Sequence, residues 1–71
     1  MNNSTGAAIR RARKQAGLSQ EAAARAADVS LNTWGRWERG EIAISVERLR
    51  QVAGLLGTQA AALLADQAPS P

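Results

Sequence analysis

Apolar positions along this chain recur at three- and four-residue steps, and no stretch alternates apolar with polar over the length of a strand. The helical period is clearest in Val46, Leu49, Val52, Ala53 and Leu56. An earlier run, about Gly6 to Ala16, places Ile9, Ala12 and Ala16 on one face with Arg13 beside them. Residues Gln20 to Ala27 carry an inner face of small side chains: Ala23, Ala24 and Ala27. A third run spans Leu31 to about Arg39, and a fifth Gln59 to about Asp66. Stops and starts punctuate these runs. Gly17, Gly40 and Gly57 follow the first, third and fourth, where glycine accepts a left-handed cap, and Leu18 can fold back beyond the first. Ser19, Ser30, Ser45 and Thr58 precede the later runs as N-cap candidates, with Ser4 or Thr5 before the first. The pattern predicts an all-α fold: a compact bundle of five short helices in one domain over 1–66, followed by a flexible tail at 67–71.

Composition narrows the chemistry. Cysteine and histidine are both absent, which removes a disulfide framework, thiolate metal sites and the commonest general base. The carboxylates Glu21, Asp28, Glu38, Glu41, Glu47 and Asp66 stand singly, so neither a metal site nor an acid/base pair is expected, and no cofactor is implied. Enzymatic activity is not expected. The longest apolar stretch, Ala60 to Ala65, is too short to cross a bilayer, and the N-terminus lacks the apolar core of a secretory signal; the expectation is a cytoplasmic protein. Net charge is +3, with arginine supplying all the positive residues except Lys14. Guanidinium groups suit phosphate and guanine, although an excess of this size is equally the mark of a solvated face.

Two short helices joined by a break of about three residues, closely approaching through Ala23, Ala24 and Ala27, suggest a helix-turn-helix; an alanine-rich helical hairpin would look the same. The residue strings separate the two. Gly17-Leu18-Ser19-Gln20-Glu21, then Val29-Ser30, then Trp37-Glu38-Arg39-Gly40, resembles the Cro and lambda-repressor-like family, also called the xenobiotic-response-element type. Ile9-Arg10 with Arg13 is similar to its first helix, and Leu49, Val52-Ala53 and Leu56-Gly57 to its fourth. The resemblance extends over roughly residues 5 to 65 without a gap. It departs at Ala23 and Ala27, where the family usually has leucine, and at Asp28, where it has glycine. It departs again at Trp34 in place of isoleucine, which could fill the volume the alanines vacate, and at Ile44 in place of proline.

The resemblance implies that the third helix lies in the major groove of double-stranded DNA while the second crosses the backbone. Candidate base readers are then Leu31, Asn32, Thr33 and Arg36: arginine for guanine, asparagine for adenine, and the leucine or the threonine methyl for the thymine methyl. Candidate phosphate contacts are Gln20, Arg10, Arg11, Lys14 and Arg39. The family's matching positions also form a partly buried ion pair, here Arg13 with Glu38, as a structural tie. Each of the candidate base and phosphate contacts has a plainer reading as an ordinary exposed helix position. Gly35 sits mid-helix, at a cost of roughly 1 kcal/mol against alanine, either to let the helix approach the bases or because it is tolerated beside Trp34 and Trp37. Both tryptophans are expected in the core.

The loop from Glu41 to Ile44 has no positive charge, so few phosphate contacts are expected from it. Ile42 and Ile44 either close the core or join a dimer interface, for which Ala60, Ala61, Leu63 and Leu64 are further candidates. The expected function is transcriptional regulation as a repressor, binding a palindromic operator as a homodimer. The alternative is an antitoxin- or adaptor-like helical module whose main partner is a protein. The ending Ala68-Pro69-Ser70-Pro71 suits a small complete regulator and the DNA-reading part of a longer chain alike.

Overall fold

A computed structural model describes residues 4–65, with side chains placed over 5–63. It contains α1 (Ser4–Gln15), α2 (Gln20–Ala26), α3 (Leu31–Glu38), α4 (Val46–Leu55) and α5 (Ala60–Ala65), with no strand among the described residues. The tail expected at 67–71, and the domain boundary before it, lie outside the described residues.

The starts are built by serine. Ser19 Oγ accepts from the amide of Ala22 at 3.0 Å, Ser30 Oγ from Thr33 at 3.0 Å and Ser45 Oγ from Arg48 at 3.1 Å. Each hydroxyl satisfies an amide that the first turn leaves without a carbonyl. The stops share one closure. After α1, the amides of Gly17 and Leu18 return to the carbonyls of Lys14 and Arg13; after α3, those of Gly40 and Glu41 return to Trp37 and Arg36. This double bond pattern needs a left-handed residue at its bend. After α2 that residue is Asp28, at φ 60°, with Asp28 and Val29 bonding back to Arg25 and Ala24.

Some boundaries differ from the sequence pattern. Ser4 and Thr5 lie inside α1 rather than capping it, and Thr5 Oγ1 is buried without a hydrogen-bond partner. Gln59, not Thr58, immediately precedes α5, and its carbonyl accepts from Ala62 and Leu63. Val46 belongs to the apolar stripe of α4 by spacing yet is 58% exposed. Periodicity identifies a face, and the first turn of α4 projects past the edge of the core.

Ala8 and Ile9 of α1, Ala23 and Ala24 of α2, and Trp34 and Trp37 of α3 form the core with Leu49, Val52, Ala53, Leu56 and Leu63. Trp34 is fully buried, as a large ring opposite small alanines allows. The two indoles meet edge-to-face, centroids 5.8 Å apart. Ile42 and Ile44 pack half-buried against this core, so they close it. α3 packs on α1 and α2, and α5 on α1 and α4. The approach of α1 to α3 depends on Gly6: a Cβ there would run into the carbonyl oxygen of Trp37 and come within 2.7 Å of that of Glu38. Arg48 of α4 donates to the carbonyl of Ala27 at 3.3 Å, placing a cation at the negative end of α2.

Candidate nucleic-acid interface

α3 divides sharply by side. Trp34, Gly35, Trp37 and Glu38 are buried, whereas Leu31, Asn32 and Arg36 face outwards and Thr33 is half-buried. Asn32 and Arg36 are one turn apart and therefore share a face. Leu31, 51% exposed, extends that face at the N-terminal end of the helix. The Thr33 hydroxyl accepts a hydrogen bond from Ser30 Oγ at 3.0 Å, which occupies its polar side.

The buried side of α3 is fixed by one carboxylate. Glu38 Oε2 accepts from Arg13 Nε at 2.6 Å and from the Trp34 indole N–H at 2.6 Å; Oε1 accepts from Gln20 Nε2 at 2.8 Å and, more loosely, from Arg13 Nη2 at 3.4 Å. Arg13 also donates to the carbonyl of Leu18 at 2.8 Å. The first helix, the start of the second and the third are thus tied at a single point. Burial pushes the Glu38 carboxyl upward, but the hydrogen bonds from Arg13, Gln20 and Trp34 and the charge of Arg13 outweigh it, and the group stays below the usual carboxylate range. Gln20 therefore spends one amide hydrogen on Glu38 while keeping a second.

Beside this knot, Arg10, Arg13, Ser19, Gln20, Glu38 and Arg39 line an open recess that runs from α1 to the end of α3. Lys14 and Arg11 line a neighbouring recess with Arg10. Arg11 also borders a hollow with Thr58 and Ala62, towards α5. The structure thus brings Arg10, Gln20 and Arg39 together and places Arg11 and Lys14 beside Arg10 in the adjoining recess. At the exit of α3, Arg39 Nε donates to Glu41 Oε2 at 2.6 Å, and Arg36 Nε lies 3.5 Å from Glu41 Oε1. The hydrogen bond from Arg39 holds the Glu41 carboxyl below its usual range. Gly35 is covered by Arg39, whose Nη1 would lie 2.9 Å from an added Cβ.

Residues 9–63 match the family HTH_3, described as Helix-turn-helix. The chain belongs to this helix-turn-helix family. HTH_3 domains of regulators bind double-stranded DNA, and this HTH_3 chain carries the same unit as α2, the Asp28 turn and α3. Two solved structures of the clp gene regulator ClgR from Corynebacterium glutamicum are 33% identical to it, with TM-score 0.85 over 90% of this chain and 68% and 83% of theirs. An HTH_3 family transcriptional regulator from Vibrio cholerae is 31% identical, with TM-score 0.78 over 90% of this chain and 36% of its own. No curated protein matches. No helix among the described residues is long and apolar enough to cross a membrane.

Sequence reasoning missed two features of this HTH_3 domain. The indole of Trp34 as a donor to Glu38 had a signal in the four-residue spacing between them. The bridging role of Glu41 had one too: it is two residues past Arg39 and five past Arg36, where the chain turns back on the helix end.

Proposed function

We propose that this HTH_3 chain is a transcriptional repressor that binds a palindromic operator as a homodimer, with α3 in the major groove of double-stranded DNA. The observation that carries the reading is the division of α3 between a locked inner side and an outer row of Leu31, Asn32 and Arg36. A helix held this firmly from behind presents its outer side chains to base edges in one register. Arg36 donates two hydrogen bonds to guanine O6 and N7, Asn32 pairs with adenine N6 and N7, and Leu31 and the Thr33 methyl touch thymine methyls. Gln20, Arg10 and Arg39 contact phosphates around one recess, and Arg11 and Lys14 around the one beside it. Family membership and the regulator neighbours support this reading.

Of the candidate dimer residues with described side chains, Ala61 of α5 is the one left for an interface. Ile42, Ile44 and Ala60 pack against the core and Leu63 is buried within it, whereas Ala61 is exposed. Leu64 has its side chain outside the described residues.

Selection of bound duplexes from a random-sequence pool tests the proposal. An enriched palindrome is expected, with log K falling against log salt at a slope of about −0.9 per phosphate contacted. Arg36→Ala should then cost about 1–3 kcal/mol on that duplex and relax the preference at one base pair of each half-site. Weak binding without enrichment would move the function to a protein partner.

A further inference from the structure

The exit of α3 holds a carboxylate between two arginines on the outer side of the helix. Its position is set by backbone, since the amide of Glu41 donates to the carbonyl of Arg36 at 2.9 Å around a left-handed Gly40 at φ 72°. One oxygen, Oε2, is taken by Arg39 Nε at 2.6 Å. Arg39 can reach it by lying back across Gly35, where a side chain would come within 2.9 Å of its Nη1. The other oxygen, Oε1, faces Arg36 Nε at 3.5 Å.

We infer that Glu41 is a positioning residue for base reading: anchored by Arg39, it braces Arg36 from the Nε side and so aims the terminal guanidinium edge at a guanine. This rests on the assignment of Arg36 as a base reader. A guanidinium has two edges that can give paired hydrogen bonds, one containing Nε and one made of Nη1 and Nη2. Guanine O6 and N7 need one whole edge. A carboxylate at Nε occupies the side edge and leaves the terminal one, directed along the side chain and away from the helix. It also confines a long side chain that would otherwise sample many rotamers and find phosphate oxygens as readily as a base. The opposite consequence is equally concrete. If Glu41 only competes with DNA for the two arginines, it weakens binding to every sequence alike.

The test compares the 71-residue chain with Glu41→Gln, Arg36→Ala and the double variant. Affinity is measured for the enriched duplex and for the same duplex with the Arg36-dependent base pair replaced, and melting temperature is recorded for each protein. Glu41→Gln is expected to lower discrimination at that base pair by about 5-fold or more. Discrimination at the pair read by Asn32 should hold, as should the melting temperature, because Glu41 is exposed. In the Arg36→Ala background the same change should leave discrimination where it is. Equal tightening on both duplexes by Glu41→Gln would overturn the proposal and make Glu41 a competitor. Wild-type discrimination by Arg36→Ala would instead remove the base-reading assignment, and the brace with it.

Discussion

Glu38 gathers a guanidinium, an amide and an indole N–H from three helices around one buried carboxylate. Taking that charge out of water costs several kcal/mol, and the three donors offset it only while all of them are in place. Glu38→Ala would leave the Arg13 guanidinium buried beside a cavity, an expected loss of about 3–5 kcal/mol. Domains of ordinary stability have about 5–15 kcal/mol in total. Urea unfolding should show this loss, and DNA binding should fall with the folded fraction; an unchanged unfolding midpoint with binding lost would give Glu38 a direct role instead. The sign of the pH dependence follows from the lowered carboxyl. The unfolded chain takes up its proton near the ordinary 4.5, and the folded chain only below that. The Glu38 contribution is therefore complete above about pH 4.5 and fades as pH falls through the folded value. Unfolding midpoints compared at about pH 7 and about pH 3 should diverge more for the wild type than for Glu38→Gln.

Elements end here by one backbone closure, and the α2–α3 turn is where it is made with the least suitable residue. Asp28 holds φ 60°, a region that costs L-residues with a Cβ roughly 1–2 kcal/mol and aspartate less than most. Asp28→Gly relieves that strain but releases a freer unfolded chain, at about 0.5–1 kcal/mol. A small net gain, at most about 1 kcal/mol, is expected by thermal denaturation; Asp28→Ala should destabilise. A fall in melting temperature for Asp28→Gly would mean the carboxylate itself supports the turn. These closures were legible because they rest on local chemistry: Ser19, Ser30 and Ser45 start helices, and Gly17, Gly40 and Gly57 stop them. The outer row of α3 was legible for a similar reason, since Trp34 and Trp37 fix its inner side. Val46 and Thr5 were not, because spacing says which way a side chain points and nothing about whether another element arrives there. Glu41 escaped notice because charge counting treats a lone carboxylate as a deficit of basic residues, whereas its partners depend on how the chain turns after Gly40.

At the scale of the whole molecule, the position of α3 depends on how closely α1 can approach it. Gly6 is the contact that sets this distance, against carbonyl oxygens at the end of α3 that cannot move without moving the helix. Gly6→Ala should cost about 1–3 kcal/mol as an overpacking change, despite the better helix propensity of alanine. For a domain of this size that lowers the melting temperature by about 4–8 °C per kcal/mol. A melting temperature at or above the wild-type value would mean α1 can shift without loss. The same interface carries the Arg13 tie, so the two changes should not be additive.

The chain contains neither tyrosine nor phenylalanine, and its two tryptophans lie side by side within α3. The near-ultraviolet absorbance and intrinsic fluorescence of this protein therefore come from a single helix. One indole shares its N–H with Glu38 and the other stacks edge-on against it. Light emitted by the unlabelled molecule therefore reports on how α3 is seated against the rest of the bundle.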